Sequence, residues 1–169
     1  IEDSFPYISA TEQLSFLEKM LLLAAVPLLP TIRITENTAF ILSTTKGNIS
    51  QLNSQMDREH LPYLTRLAKS IAGLLGIRSE PIVVSNACVS GVVALSVADR
   101  LLQSDIYENA LVLAGDEISE FVISGFQSFQ AMSSRPCRPY DKARDGITLG
   151  EATAAVFLTQ EDFLAQAEI

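Results

Sequence analysis

The chain contains two cysteines, Cys88 and Cys137, and only Cys88 sits where two opposite kinds of sequence meet. Residues 81–85 (PIVVS) are apolar and β-branched, as expected of a strand covered on both faces, and they run straight into Asn86, Ala87 and Cys88. Residues 91–102 (GVVALSVADRLL) follow, apolar nearly all round, which predicts a helix that is buried rather than amphipathic. A cysteine at a strand-to-helix junction meets free backbone N–H groups and the positive end of a helix dipole, both of which favour a thiolate. The same donors can receive the negative charge that develops on a thioester oxygen during acyl transfer. Ser90 and Gly91 add little bulk, so an acyl chain or a pantetheine arm has room to approach. Taken alone, a free cysteine is more often a small buried hydrophobe than a nucleophile, so the weight of this reading rests on its surroundings.

Those surroundings alternate between strand-like and helix-like segments. Residues 11–26 predict a helix: Thr11 can cap it, Glu12 and Gln13 fall in its first turn, and Leu14, Leu17, Leu21 and Ala25 recur at helical spacing. Residues 38–43 (TAFILS) form a short apolar run that ends at Thr44, Thr45 and Gly47, as a buried strand ends in a loop. A second helix is expected over residues 62–75, stopped by Gly76. Residues 110–115 (ALVLAG) give another strand, 121–132 a helical or looped stretch, and 153–159 (TAAVFLT) a last strand. This alternation indicates a parallel sheet between helix layers, the α/β class.

Length and composition exclude several functions. A chain of 169 residues with 48% hydrophobic content supports one domain, residues 1–169, around one sizeable core. The net charge of -8 and the lack of a Lys/Arg stripe argue against nucleic acid as a partner. No Cys or His spacing resembles a metal site, and two cysteines without a secretory signature do not suggest a disulfide. The longest apolar run, residues 20–30, is about half of what a membrane-spanning helix needs, and Pro27 and Pro30 interrupt it. A cytoplasmic protein without a membrane span is expected.

SNACVSG, residues 85–91, resembles the nucleophile turn of the ketosynthase branch of the thiolase superfamily, in which an Ala-Cys pair is followed by Ser-Gly. The resemblance continues through ALVLAGDE (110–117), SGFQSFQAMS (124–133), RPYDKARDG (138–146) and LGEATAAVFL (149–158), with STTKGN (43–48) similar to a loop after an earlier strand. Segments in the family's order across much of the chain are far more specific than any one of them. By this resemblance the chain is the N-terminal, nucleophile-bearing half of a β-ketoacyl-acyl-carrier-protein synthase.

The resemblance implies a thiolase-like αβα fold, one half of a five-layer αβαβα architecture. It implies that Cys88 accepts an acyl group from an acyl carrier protein bearing a phosphopantetheine thioester. A malonyl-carrier thioester is then decarboxylated and its carbanion attacks the acyl-cysteine, in fatty-acid, polyketide or polyene synthesis, with no organic cofactor. It implies a homodimer, or a heterodimer with a related subunit. Phe126 falls on the Gly-Phe turn whose ring lines the acyl pocket in related condensing enzymes, the alternative being ordinary core packing. Two histidines, a lysine and a Gly-rich loop belong to the family's second half and have no counterpart here; His60, in MDREHLP, matches neither histidine. The opening strand and the whole C-terminal half are expected to lie outside this stretch. Asp116 and Ala152 stand where the family often has glycine, which suggests a divergent subgroup. Asp141, Arg144, Asp145 and Glu151 are expected to pin a loop rather than to act as acids and bases. Two other readings are a thiolase acting on coenzyme A esters, against which RPYDKARDG counts, and a chain-length-factor-like partner subunit, against which Cys88 counts.

Overall fold

The computed structural model describes residues 14–52 and 63–161. Its elements, in order, are α1 (Phe16–Ala25), β1 (Thr38–Ser43), a 3-10 turn (Ile49–Gln51), α2 (Leu64–Leu74), β2 (Ile82–Val84), α3 (Ser90–Gln103), β3 (Asn109–Asp116), α4 (Glu120–Ser128) and β4 (Ala152–Thr159). The strands form one sheet in the order β2-β1-β3-β4. β1 runs parallel to both neighbours, pairing Ile41 with Ile82 and Val112.

Alternation along the strands divides the core in two. Phe40, Leu42, Leu111 and Leu113 point to one face and pack with Leu17 and Leu21 of α1 and Leu67 and Ile71 of α2. Ala39, Ile41, Ala110 and Val112 point to the other face and meet Ala94, Ala98 and Leu102 of α3. The result is an αβα sandwich with α1 and α2 on one side and α3 on the other. β1 is buried along its whole length, as a central strand of this composition should be.

Three sequence expectations are corrected. The sheet is not wholly parallel: β4 runs antiparallel to β3, with Asp116 opposite Ala152 and Asn109 opposite Thr159. The chain leaves and re-enters the sheet at the same end, because α4 packs against the 3-10 turn there instead of crossing a sheet face. Second, α3 is buried along one face only, with Val92 71% exposed on the other. Third, α1 starts at Phe16, where Ser15 and Glu18 form a reciprocal capping box that satisfies two N–H groups at once. Thr11, Glu12 and Gln13 lie outside the described residues, as does His60. β2, the strand that leads into Cys88, is the sheet edge, with Val84 buried and Ile82 and Val83 half-buried.

Candidate active site

Cys88 is exposed on the turn between β2 and α3, two residues ahead of the first helical residue, Ser90. Ala87, just before it, has φ +47°, a left-handed conformation that costs a residue with a Cβ about 1–2 kcal/mol. That conformation persists only if its surroundings hold it. Ser90 does so from inside the first turn of α3: its Oγ accepts from the Asn86 N–H at 2.7 Å and donates to the Ala87 carbonyl at 2.6 Å. The N–H groups of Val89 and Ser90 donate in turn to the Asn86 and Ala87 carbonyls, each at 3.2 Å. Every bond is short-range, so the turn presents Cys88 outward on a frame tied at both ends.

The turn rests against the C-terminal ends of β1 and β3. Thr44 N–H continues the ladder to the Val84 carbonyl at 3.2 Å, and Ser85 Oγ reaches the Thr45 carbonyl at 3.3 Å. A Cβ on Gly91 would stand 3.8 Å from that of Ala114, which seats the start of α3 on the end of β3. One residue beyond Gly115, the Oδ1 of Asp116 accepts from Thr44 Oγ1 at 2.8 Å, Thr45 N–H at 2.8 Å, Thr45 Oγ1 at 2.9 Å and Lys46 N–H at 3.4 Å. Glu117, buried beside it, accepts from Ser50 Oγ. The loop after β1 is thus held by two successive carboxylates.

Phe126 lies half-buried on α4, whose chief packing partner is the 3-10 turn rather than α3. Cys137 is half-buried in the loop between α4 and β4, where its N–H donates to Thr148 Oγ1 at 2.8 Å. In that loop Asp145 accepts from Ser133 Oγ at 2.7 Å and Ser134 Oγ at 2.9 Å, and these two hydroxyls hold its carboxyl below the ordinary carboxylate value. Asp141 Oδ1 caps Ala143 N–H, Arg144 donates to the Asp141 carbonyl, and Glu151 accepts from Ile118 N–H. The charged cluster therefore pins the loop, but Arg144, Asp145 and Glu151 do so while exposed, not because buried charge demands partners. Gly146 is required there: at φ +151° a Cβ would meet Ser133 N at 2.6 Å.

Sequence reasoning read Ser90 only as a small residue and Asp116 only as added bulk, whereas they are the side chains that fix the turn and the loop beside it. For Ser90 a signal was present, since a hydroxyl at the start of a helix is placed to bond backbone upstream. For Asp116 there was none, because its partners lie in a loop far back in the chain. Among the described residues no group of His, Cys, Asp and Glu could hold a metal ion, and no helix is long and apolar enough to cross a membrane.

Residues 2–163 match the family model for the β-ketoacyl synthase N-terminal domain. The 3-oxoacyl-[acyl-carrier-protein] synthase 2 of Synechocystis is 35% identical over 44% of this chain and 20% of its own length. The ketoacyl synthase alpha subunit of the tetracenomycin polyketide synthase of Streptomyces glaucescens is 30% identical over 57% of this chain and 24% of its own. Among solved structures, the complex of the ketosynthase ApeO with its chain length factor ApeC from Xenorhabdus doucetiae superposes with a TM-score of 0.71 at 26% identity, covering 85% of this chain and 41% of the matched one. A β-ketoacyl synthase from Burkholderia phymatum gives 0.70 at 17% identity. The chain thus spans less than half the length of these relatives. With the αβα sandwich and thiolase-like fold that the solved neighbours share, the match over nearly all of its residues shows that this chain belongs to the β-ketoacyl synthase family, as its N-terminal domain.

Proposed function

We propose that residues 1–169 are the nucleophile-bearing N-terminal domain of a condensing enzyme that works on carrier-bound acyl chains, with Cys88 as the acyl acceptor. The observation that carries this reading is the strained, doubly tied turn that holds Cys88 outward at the start of α3. Asp105, Gln130 and Tyr140 also have positive φ, but only Ala87 directly precedes a cysteine, and an exposed thiol after a strained, tied residue suits presentation of a nucleophile. The Cys88 thiolate attacks the thioester carbon of an acyl chain on the phosphopantetheine arm of an acyl carrier protein. The carrier sulfur leaves as a thiolate and takes up the proton that Cys88 released on ionising, and the acyl group is held as a cysteine thioester. A malonyl-carrier thioester then loses carbon dioxide, its carbanion attacks the acyl carbon, and the Cys88 thiolate departs, leaving a β-ketoacyl carrier.

The donors that stabilise the carbanion, and the remainder of the oxyanion site, come from protein beyond these residues. Phe126 lines the acyl pocket in this reading. The active particle is a dimer in the cytoplasm, either of two copies or of this subunit with a related one; the ketosynthase ApeO, seen with its chain length factor, is a precedent for the second arrangement. Cys88 on its strained turn favours the catalytic subunit over a chain-length-factor role. The test is mass spectrometry of the full-length protein mixed with a hexanoyl acyl carrier protein. A hexanoyl adduct on the Cys88 peptide, lost in Cys88→Ala together with turnover, is expected. An unmodified Cys88 with turnover intact overturns the assignment.

A further inference from the structure

Asp116 stands in contact with no position expected of the nucleophile, yet it controls the two residues on which the nucleophile strand ends. Its Oδ1 gathers the hydroxyls of Thr44 and Thr45 together with the N–H groups of Thr45 and Lys46. Beyond the β1–β2 ladder, Thr44 and Thr45 also bond the end of β2: the Thr44 N–H bonds the Val84 carbonyl, and the Thr45 carbonyl accepts the Ser85 hydroxyl. Thr44 is 1% exposed and its Oγ1 accepts from Gly47 N–H as well, so the hydroxyl that Asp116 receives is fixed in direction by a second bond. From Asp116 to Ser85 the chain of contacts therefore has one intermediary, and Ser85 leads directly into Asn86, Ala87 and Cys88.

We propose that Asp116 is a positioning residue for acyl transfer: by clamping the Thr44–Lys46 loop it sets the end of β2, and with it the place of Cys88. The inference rests on Cys88 being the acyl acceptor. β2 is an edge strand held on one side only, by β1, so the loop that continues β1 is the natural restraint on where β2 ends. An anionic oxygen is suited to this role, since hydrogen bonds to an ionised acceptor are stronger than neutral ones. Its effect belongs to the geometry of attack, where a displacement of about 1 Å can cost on the order of a hundredfold in rate.

The test uses the full-length protein and the single-turnover acylation of Cys88 by a hexanoyl acyl carrier protein, followed over a range of carrier concentrations. Asp116→Ala should lower the saturating acylation rate by roughly tenfold to a hundredfold while leaving the half-saturating carrier concentration unchanged, as expected of a residue that places the nucleophile rather than binding the carrier. Asp116→Asn keeps an acceptor oxygen at the same place and should recover most of the rate. Ser85→Ala, a change at an exposed side chain, removes the second link and should give a smaller fall in the same direction. An Asp116→Ala protein that acylates at the wild-type rate overturns the proposal. If that variant does not fold, a wild-type acylation rate in Ser85→Ala overturns it instead. Wild-type protein that never acylates Cys88 overturns the functional reading itself, a result distinct from acylation that is insensitive to Asp116.

Discussion

At the scale of single residues, the two cysteines of this chain differ in how the backbone offers them. Cys88 is exposed on a turn whose preceding residue has a positive φ, whereas Cys137 is half-buried beside Pro136 with its own N–H bonded to Thr148. Brief iodoacetamide treatment of the intact protein at neutral pH should therefore label Cys88 well before Cys137, as peptide mapping can read; equal labelling, or Cys137 first, contradicts the reading of the turn. Phe126 gives a second prediction at this scale. If its ring lines the acyl pocket, Phe126→Ala should change the preferred acyl chain length more than it changes reaction with the shortest donor. If it is packing alone, the loss should instead appear as a lower melting temperature with an unchanged chain-length profile, smaller than for a fully buried phenylalanine because Phe126 is half-buried, and thermal melts beside donor competition separate the two. The place of Cys88, on the turn from a strand into a helix, was legible in the sequence because strand and helix signals converge on it within a few residues. The clamp at Asp116 was not, because a carboxylate that gathers donors from a distant loop leaves no trace in local spacing.

At the scale of elements, the end of β3 is where the fold tolerates least change. Gly115 pairs with Thr153 across the antiparallel edge, and a Cβ there would stand 2.4 Å from Thr153 Cγ2 and 3.0 Å from the Ala152 carbonyl. Thr153 cannot simply turn aside, since its Oγ1 is bonded to the Met20 carbonyl of α1 at 2.9 Å. Gly115→Ala should consequently destabilise the domain by about 1–3 kcal/mol, seen as a lower urea midpoint, and a variant as stable as the wild type would mean that β4 slides freely on β3. The neighbouring elements show what sequence can and cannot carry. Residues 38–43 were legible as a strand to the residue, because a β-branched apolar run between turn signals has one good solution when buried on both faces. The direction of β4 was not legible: TAAVFLT has the same composition whichever way it runs, and what reverses it is that α4 stays at one end of the sheet. α1 starts at Phe16 rather than at the expected Thr11 because Ser15 is an equally good cap, and its capping box with Glu18 is tied further to Asn48 and Ser70.

At the scale of the molecule, one side of the sandwich is finished and the other is not. Among the described residues α1 and α2 cover one sheet face, while on the opposite face α3 stands alone, with Val92 71% exposed and Val89 51% exposed beside Cys88. Val156, paired with Val112 on the same side of the sheet, is 37% exposed as well. The apolar all-round composition of α3 predicts a helix covered on every side, and in this domain only one side is covered, so its sequence fits a larger body than these residues supply. The proposed chemistry is incomplete in the same way. Decarboxylation needs donors set beside the nucleophile to receive the developing negative charge, and loss of even one such donor in comparable sites costs about 10²–10³ in rate. The chain has a single histidine, His60, whose surroundings match neither histidine of the family. A polypeptide of residues 1–169 alone should therefore release no carbon dioxide from a malonyl-carrier thioester and form no condensation product, with slow acylation of Cys88 as the most that survives. Adding the remaining part of the protein in trans, or using the full-length product, should restore turnover that Cys88→Ala then abolishes. Radiolabelled carbon dioxide evolved by the isolated domain at the full-length rate would show that the charge-stabilising groups are already within it.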